Sequence, residues 1–166
     1  MPEKDSFLAI HQREYQVTRR LINAFPATEL SFRPHERSRS AQELAFTLAH
    51  EELLFIQATK GIFDPSILGA APPTTLPEIL QALDANSQKA EQAMGSAPEA
   101  ELNQIMNFAG HNMRRLDMAW AVLFDLIHHR GQFSVYVRMA GGKVPSIYGP
   151  SADDPGTHVV AAAKQA

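Results

Sequence analysis

The chain has 166 residues, 45% of them hydrophobic, with a formal net charge of -3 and no cysteine. This length and hydrophobic content suffice for one domain with its own core, and the lack of cysteine excludes disulfides, thiolate metal ligands and cysteine nucleophiles. The small negative charge argues against a nucleic-acid-binding protein, because such a protein concentrates basic residues on one face.

The first two predicted helices have clear start or end signals. Residues 6–25 place large apolar side chains at alternating steps of three and four, which indicates one buried helical stripe, and Pro26 ends this helix. The next helix, over 40–60, begins with Ser40 and Glu43, a pair that forms a capping box by binding each other's free backbone amides. The first part of the chain is therefore predicted to form two amphipathic helices.

Two more helices are predicted after a long link. Residues 61–75 are rich in proline and glycine and exceed what a tight antiparallel turn needs, so this link allows the second and third helices to run parallel. The third helix covers 75–94 and begins with another capping-box pattern. The fourth begins near His111 or Asn112 and keeps its helical periodicity as far as Gly141.

Four apolar stripes without a convincing strand pattern predict an all-α fold, a four-helix bundle. We expect residues 1–142 to form the bundle domain and residues 143–166 an extended C-terminal tail packed on the bundle or on a dimer partner. The best apolar run, 118–124, is far shorter than the roughly 20 residues of a membrane helix, and no signal peptide is recognisable. Together with the lack of cysteine, this favours a cytoplasmic protein without a membrane partner.

The fourth predicted helix carries an unusual polar segment, DLIHHRGQ, at residues 125–132. Asp125 and His129 are four residues apart and therefore project from the same helical face. A carboxylate on an otherwise apolar face needs a partner such as a histidine or a metal ion, and His50 lies near the middle of the second predicted helix. These three side chains would form a two-histidine, one-carboxylate site with open positions, as used for zinc, nickel, manganese or ferrous iron.

Other interpretations of the same residues stay open. His50 alone is compatible with an ordinary core histidine, and Asp125 and His129 can form a buried ion pair without a metal. His128 can replace Asp125 as a ligand or hydrogen-bond to one. The side chains predicted to line the pocket or to support a ligand are His128, Gln132 and Tyr15.

Three features of the sequence together resemble the DinB/YfiT-like superfamily of small bacterial metal-binding helical bundles. They are the histidine at position 50, the segment DLIHHRGQFSVYVRMAGG that begins at Asp125, and the following VPSIYGPSADD. The resemblance implies a bundle of up-down-down-up topology, often a homodimer, with one divalent metal ion held by three side chains. The ligand positions fall here on His50, Asp125 and His129, whereas many relatives have three histidines. Zinc or nickel is the expected metal, with iron or manganese as alternatives.

The resemblance also implies a kind of chemistry. Relatives include thiol transferases that join low-molecular-weight thiols to electrophiles, together with proteins that resemble isomerases or hydrolases. We expect a metal-dependent transferase or hydrolase with a small-molecule substrate, in which the ion lowers the pKa of a bound water or thiol that then attacks the substrate. The alternative is a non-catalytic, stress-associated metal-binding or dimerisation protein, in which the ion only ties two helices together. The sequence assigns no catalytic side chain.

Overall fold

Four long helices form the body of the structure, a computed structural model that describes residues 2–156. The elements in chain order are α1 (Glu3–Asn23), α2 (Ala41–Lys60), α3 (Leu76–Ser96), the short α4 (Glu99–Leu102), β1 (Ile105–Phe108), β2 (His111–Arg114) and α5 (Arg115–Met139). Single 3₁₀ turns at Ala27–Glu29 and Pro65–Gly69 lie in the links that flank α2. The predicted all-α, four-helix bundle is confirmed, with a small antiparallel hairpin added to it.

The starts of α2 and α3 are fixed by the predicted capping boxes. Ser40 accepts a hydrogen bond from the Glu43 backbone amide, and the Glu43 carboxylate accepts one from the Ser40 amide. Thr75 and Glu78 repeat the arrangement at α3. Gly61 ends α2 in the left-handed region, at φ 67°, which costs glycine little.

Contacts along α1 and α5 show that these two helices run in the same direction. Near their first turns, the Trp120 indole donates to Glu3 over 3.2 Å. Further along both helices, Arg130 pairs with Glu14 over 2.7 Å. From the first contact to the second, the residue number increases on both helices, so α1 and α5 are parallel neighbours.

The other two helices run in the opposite direction. Arg115 at the start of α5 donates to the Thr59 carbonyl at the end of α2, which makes this pair antiparallel. Lys4 at the start of α1 donates to the Gly95 carbonyl at the end of α3, with the same consequence. The long link between α2 and α3 therefore joins parallel helices, and the topology is up-down-down-up, as the resemblance implied.

The hairpin before α5 corrects the predicted start of the fourth helix. The helical periodicity predicts that His111 and Asn112 lie at the start of that helix, and the sequence shows no convincing strand pattern. The structure shows that both predictions are wrong, because His111 and Asn112 belong to β2. β1 and β2 pair in antiparallel register, with Phe108 opposite His111. The turn between them uses Ala109 at φ 50° and Gly110 at φ 89°, the left-handed pair typical of two-residue hairpin loops.

After α5 the chain turns back onto the bundle. Gly142 passes so close to the end of α1 that an added Cβ would lie 2.7 Å from the Ala24 carbonyl oxygen. Val144 is buried, and its backbone amide donates to Asp153 over 3.0 Å. Of the predicted tail, the structure describes residues 143–156. The last ten residues of the tail, 157–166, lie outside the described residues.

The interior of the bundle combines a continuous apolar core with several buried charged groups. The core includes fully buried side chains from all four long helices, among them Leu21, Phe55, Ile79 and Phe133. Charged or titratable side chains buried at mid-height are His11, Glu14, Glu51, Glu52 and Arg130. Between residues 2 and 156, no helix has the length and apolar character needed to span a bilayer.

Candidate metal centre

A cleft of about 650 Å³ opens between α2, α5 and the two links that flank α2. We call it the α2–α5 cleft. Its lining includes His50, Glu51, Asp125 and His129. It also includes five charged residues that we call the mouth of the cleft, Arg33, Glu36, Arg37, Arg39 and Glu43. The residues that the sequence analysis predicted as ligands therefore share one cavity.

Three of these side chains converge closely enough to hold a metal ion. Glu51, Asp125 and His129 each offer one ligand atom, and the three atoms all lie within 4.8 Å of one another. The Glu51 carboxylate lies 2.6 Å from Nδ1 of His129, and the Asp125 carboxylate lies 3.9 Å from the same nitrogen. Two carboxylates and an imidazole are a suitable donor set for a divalent transition metal.

Two buried atoms at this place have no hydrogen-bond partner among the described residues. They are Oε2 of Glu51 and Nδ1 of His50. An unpartnered polar atom in a protein interior costs free energy, so native structures rarely leave one without a role. A cation bound between α2 and α5 would supply a partner, and the donor set therefore fits a metal.

The other buried charges in the bundle contrast with these two atoms because they are paired. His11 contacts Glu52 over 2.7 Å, with both side chains almost fully buried. Glu14 lies 2.7 Å from Arg130 and accepts a hydrogen bond from the Tyr148 hydroxyl. Of the three buried side-chain atoms without a hydrogen-bond partner among the described residues, two lie at the candidate metal centre. The third is Nε of Arg115, whose Nη1 and Nη2 groups both donate hydrogen bonds.

The titratable groups at the centre are shifted in different directions: the pKa values of Glu51 and His129 are raised, and that of His50 is lowered. Burial raises the pKa of Glu51, as does the charge of Asp125, against the opposing effect of His129. The hydrogen bond that the His129 ring donates to the Glu51 carboxylate raises the pKa of His129 despite its burial, and the Glu51 and Asp125 charges act in the same direction. Burial lowers the pKa of His50 and so favours the neutral imidazole that binds metals. The centre therefore attracts positive charge.

Glu51 is the candidate metal ligand that the sequence did not reveal. The structure groups Asp125 and His129 with Glu51, while His50 is half-buried beside them with its ring 4.0 Å from that of Phe46. The ligand role of His50 stays a prediction. A signal for Glu51 was present, since it shares the helical spacing of buried Leu44, Leu48 and Phe55, where an acid needs a partner.

The three supporting residues predicted from the sequence lie in different places. His128 and Gln132 are exposed one turn apart on α5, where Gln132 donates to His128 over 2.9 Å. Gln132 and His129 also line a smaller recess next to the α2–α5 cleft. Tyr15 donates to Asp84 on α3 over 2.8 Å and is not among the residues that line the cleft.

Fold and site together define a helical-bundle protein with a candidate metal centre of carboxylate and imidazole groups between two helices. The DinB family model matches residues 1–158, so the chain belongs to the DinB family. This confirms the resemblance noted from the sequence.

Individual relatives are similar to this chain at low sequence identity. The uncharacterized protein YrdA of Bacillus subtilis is 24% identical over 151 residues, which cover 90% of each chain. The crystal structure of a DinB-like protein from Bacillus cereus superposes with a TM-score of 0.77 at 21% identity, covering 87% of this chain and 97% of that one. The mycothiol-dependent maleylpyruvate isomerase shares the fold with a TM-score of 0.59 at 9% identity, covering 86% of this chain and 62% of its own.

Proposed function

We propose that the protein binds one divalent metal ion through Glu51, Asp125 and His129 and acts as a metal-dependent enzyme on a small molecule. The observation that carries the proposal is the convergence of three ligand atoms within 4.8 Å beside the buried, unpartnered Oε2 of Glu51. The cleft in front of these atoms supports catalysis, because a structural site usually fills its coordination shell with protein atoms.

The proposed ion is zinc or nickel, with His50 as an additional ligand. Its unpartnered Nδ1 and its neutral ring support this role. Four protein ligands would fill a tetrahedral zinc site, whereas a six-coordinate ion such as nickel, iron or manganese would keep positions for substrate. Metal identity and the role of His50 are therefore linked, and one metal analysis tests both.

A divalent ion in this centre would lower the pKa of a water or thiol that binds it, as hydrolases and thiol transferases require. The side chains at the centre would position the ion. Glu51 and His129, hydrogen-bonded across the α2–α5 boundary, hold each other in position for the ion. The isomerase with the same fold depends on mycothiol according to its name, which supports a low-molecular-weight thiol as co-substrate here.

Two adjacent glutamates provide a matched test of the metal site. Glu51 and Glu52 are both buried on α2, but Glu51 faces Asp125 and His129 while Glu52 pairs with His11. We expect Glu51→Gln, like His129→Ala, to lose stoichiometric metal with little change in helicity, because each removes a ligand. Glu52→Gln should keep the metal. Elemental analysis of protein purified without an affinity tag measures this, and one equivalent of metal in Glu51→Gln would contradict the assignment.

A second experiment separates the enzyme from the non-catalytic alternative. The ligands come from α2 and α5, so an ion would also tie these helices together. The metal-loaded protein is screened for the conjugation of low-molecular-weight thiols to electrophiles. We expect turnover, and we expect both chelation of the metal and the substitution Glu51→Gln to abolish it. Metal that raises the melting temperature without supporting any turnover would favour the metal-stabilised, non-catalytic protein.

A further inference from the structure

The mouth of the α2–α5 cleft is rich in arginine. Arg33, Arg37 and Arg39, all from the link between α1 and α2, line it together with Glu36 and Glu43. The charge of Arg33 is already engaged, since its guanidinium lies 3.0 Å from the Glu43 carboxylate. The cations at the mouth are therefore not equivalent, and their partners distinguish them.

Arg39 is held in place without being neutralised. Its Nη1 donates to the Thr47 hydroxyl over 2.9 Å, and its backbone carbonyl accepts from the Tyr136 hydroxyl over 3.1 Å. In the part of the chain that the structure describes, no carboxylate lies within ion-pair distance of Arg39. Its Nε and Nη2 groups make no hydrogen bond there either. Arg39 is thus a cation that is held in position while its Nε and Nη2 groups can still donate hydrogen bonds to a ligand.

The position of Arg39 relates it directly to the candidate metal centre. Thr47, which holds the guanidinium, precedes His50 and Glu51 on α2 by about one helical turn, a spacing of roughly 5–6 Å between side chains. Arg39 lines the α2–α5 cleft together with Glu51, Asp125 and His129. A small molecule in the cleft can therefore touch both places at once.

We propose that Arg39 binds a carboxylate of the substrate while the other end of the substrate meets the metal centre. The inference rests on the proposed function and names the substrate class of that site. A guanidinium offers two parallel N–H donors that match the two oxygens of a carboxylate. The Thr47 hydroxyl uses only part of this donor capacity. A divalent ion would balance the negative charges of Glu51 and Asp125. The three arginines and two glutamates at the mouth then leave a net positive charge, so the cleft would attract anions.

Paired thiol probes of equal length test the carboxylate preference. 3-Mercaptopropionate and 3-mercaptopropionamide have the same length and differ in the group remote from sulfur, an anionic carboxylate in one and a neutral amide in the other. Binding of either to cobalt-loaded protein is read from the thiolate-to-cobalt absorption band. We expect the carboxylate probe to bind at least about tenfold more tightly, the ratio typical of a charge-assisted hydrogen bond. Equal affinities for the two probes would overturn the inference.

Variants then assign the preference to one residue. Arg39→Gln should bind cobalt normally but lose the preference, while Arg39→Lys should keep part of it because the charge remains without the planar fork. Arg33→Gln is the matched control, since it removes the same charge from a guanidinium already paired with Glu43. An unchanged preference in Arg39→Gln, or an equal loss in Arg33→Gln, would refute the role of Arg39. If the wild-type protein binds no cobalt, the proposed function itself fails, and this inference with it.

Discussion

Glu14 and Arg130 are a buried ion pair that the tail completes. Each side chain is 1% exposed, and the Tyr148 hydroxyl from the tail donates to Glu14 over 2.7 Å. Burial raises the pKa of Glu14, but hydrogen bonds from Tyr148, Arg13 and Arg130 outweigh it and leave the pKa below the ordinary value of 4.5. The ionised carboxylate is thus the form that the folded state stabilises.

Tyr148→Phe should show this stabilisation and its pH dependence. At neutral pH we expect the free energy of unfolding to fall by about 1 kcal/mol, as for the loss of one hydrogen bond. Because the folded-state pKa of Glu14 is lowered, the contribution of its carboxylate is present above the unfolded-state pKa and is lost as pH falls through the folded-state pKa. Urea denaturation should therefore show a larger difference between variant and wild type at pH 7 than at about pH 3.

The control for this prediction is Tyr15→Phe. Tyr15 also donates to a carboxylate, but that of Asp84 is 38% exposed and water can replace the lost hydrogen bond. We expect a smaller loss than for Tyr148→Phe. A Tyr148→Phe effect that is the same at both pH values would argue against stabilisation through the ionised Glu14.

Single residues also show what the sequence could and could not predict of the site. Asp125 and His129 were found because a four-residue spacing fixes a shared face on any helix. Glu51 was missed because α2 is buried on most of its circumference, so the sequence alone does not tell which neighbour each acid faces. His50, Glu51 and Glu52 are consecutive, and only the packing of α1 and α5 around α2 separates their roles.

At the scale of elements, the hairpin offers a test of backbone strain. Ala109 adopts φ 50°, a conformation that Asn tolerates better than Ala in a two-residue hairpin turn. We expect Ala109→Asn to raise the free energy of unfolding by up to about 1 kcal/mol. The same substitution at exposed Ala85 in α3 should lower it by about 0.5 kcal/mol through reduced helix propensity. Thermal or urea denaturation measures both, and effects of the same sign would contradict the explanation.

Local signals explain which elements were predictable. The capping boxes at Ser40 and Thr75 involve residues three apart, so they can be read without knowing the fold. The hairpin strands have only four residues each, too few to show an alternating pattern. The start of α5 was hidden as well, because its N-cap is Arg114, whose side chain binds Asp117 in place of a usual capping residue.

At the scale of the whole molecule, the topology depends on contacts that the sequence does not display. The long link between α2 and α3 permitted a parallel pair but did not require one. The observed order is fixed by interactions between distant residues, including Arg130 with Glu14 and Arg115 with the Thr59 carbonyl. The family resemblance supplied the topology in advance because it carries this long-range information.

One exposed face of the molecule suits the predicted homodimer. Phe124, Val135 and Met139 are each more than half exposed and lie on one side of α5, with Gly131 between them. An added Cβ at Gly131 would meet nothing within 4 Å in the described chain. A glycine there lowers helix propensity without an internal packing reason, whereas it would let a second copy of α5 approach closely. We call the four residues the α5 stripe.

We predict that two copies of the chain pair through the α5 stripe. Val135→Glu places a charge in the middle of this face, and burying it without a partner costs more than a helix pair of this size can offset. The variant should therefore be monomeric in sedimentation velocity at concentrations where the wild type is a dimer, with unchanged helicity. Ile105→Glu is the control because Ile105 is 66% exposed on the hairpin, away from the stripe, and this variant should stay dimeric. A monomeric wild-type protein, or dissociation by Ile105→Glu alone, would show that the stripe has no such role.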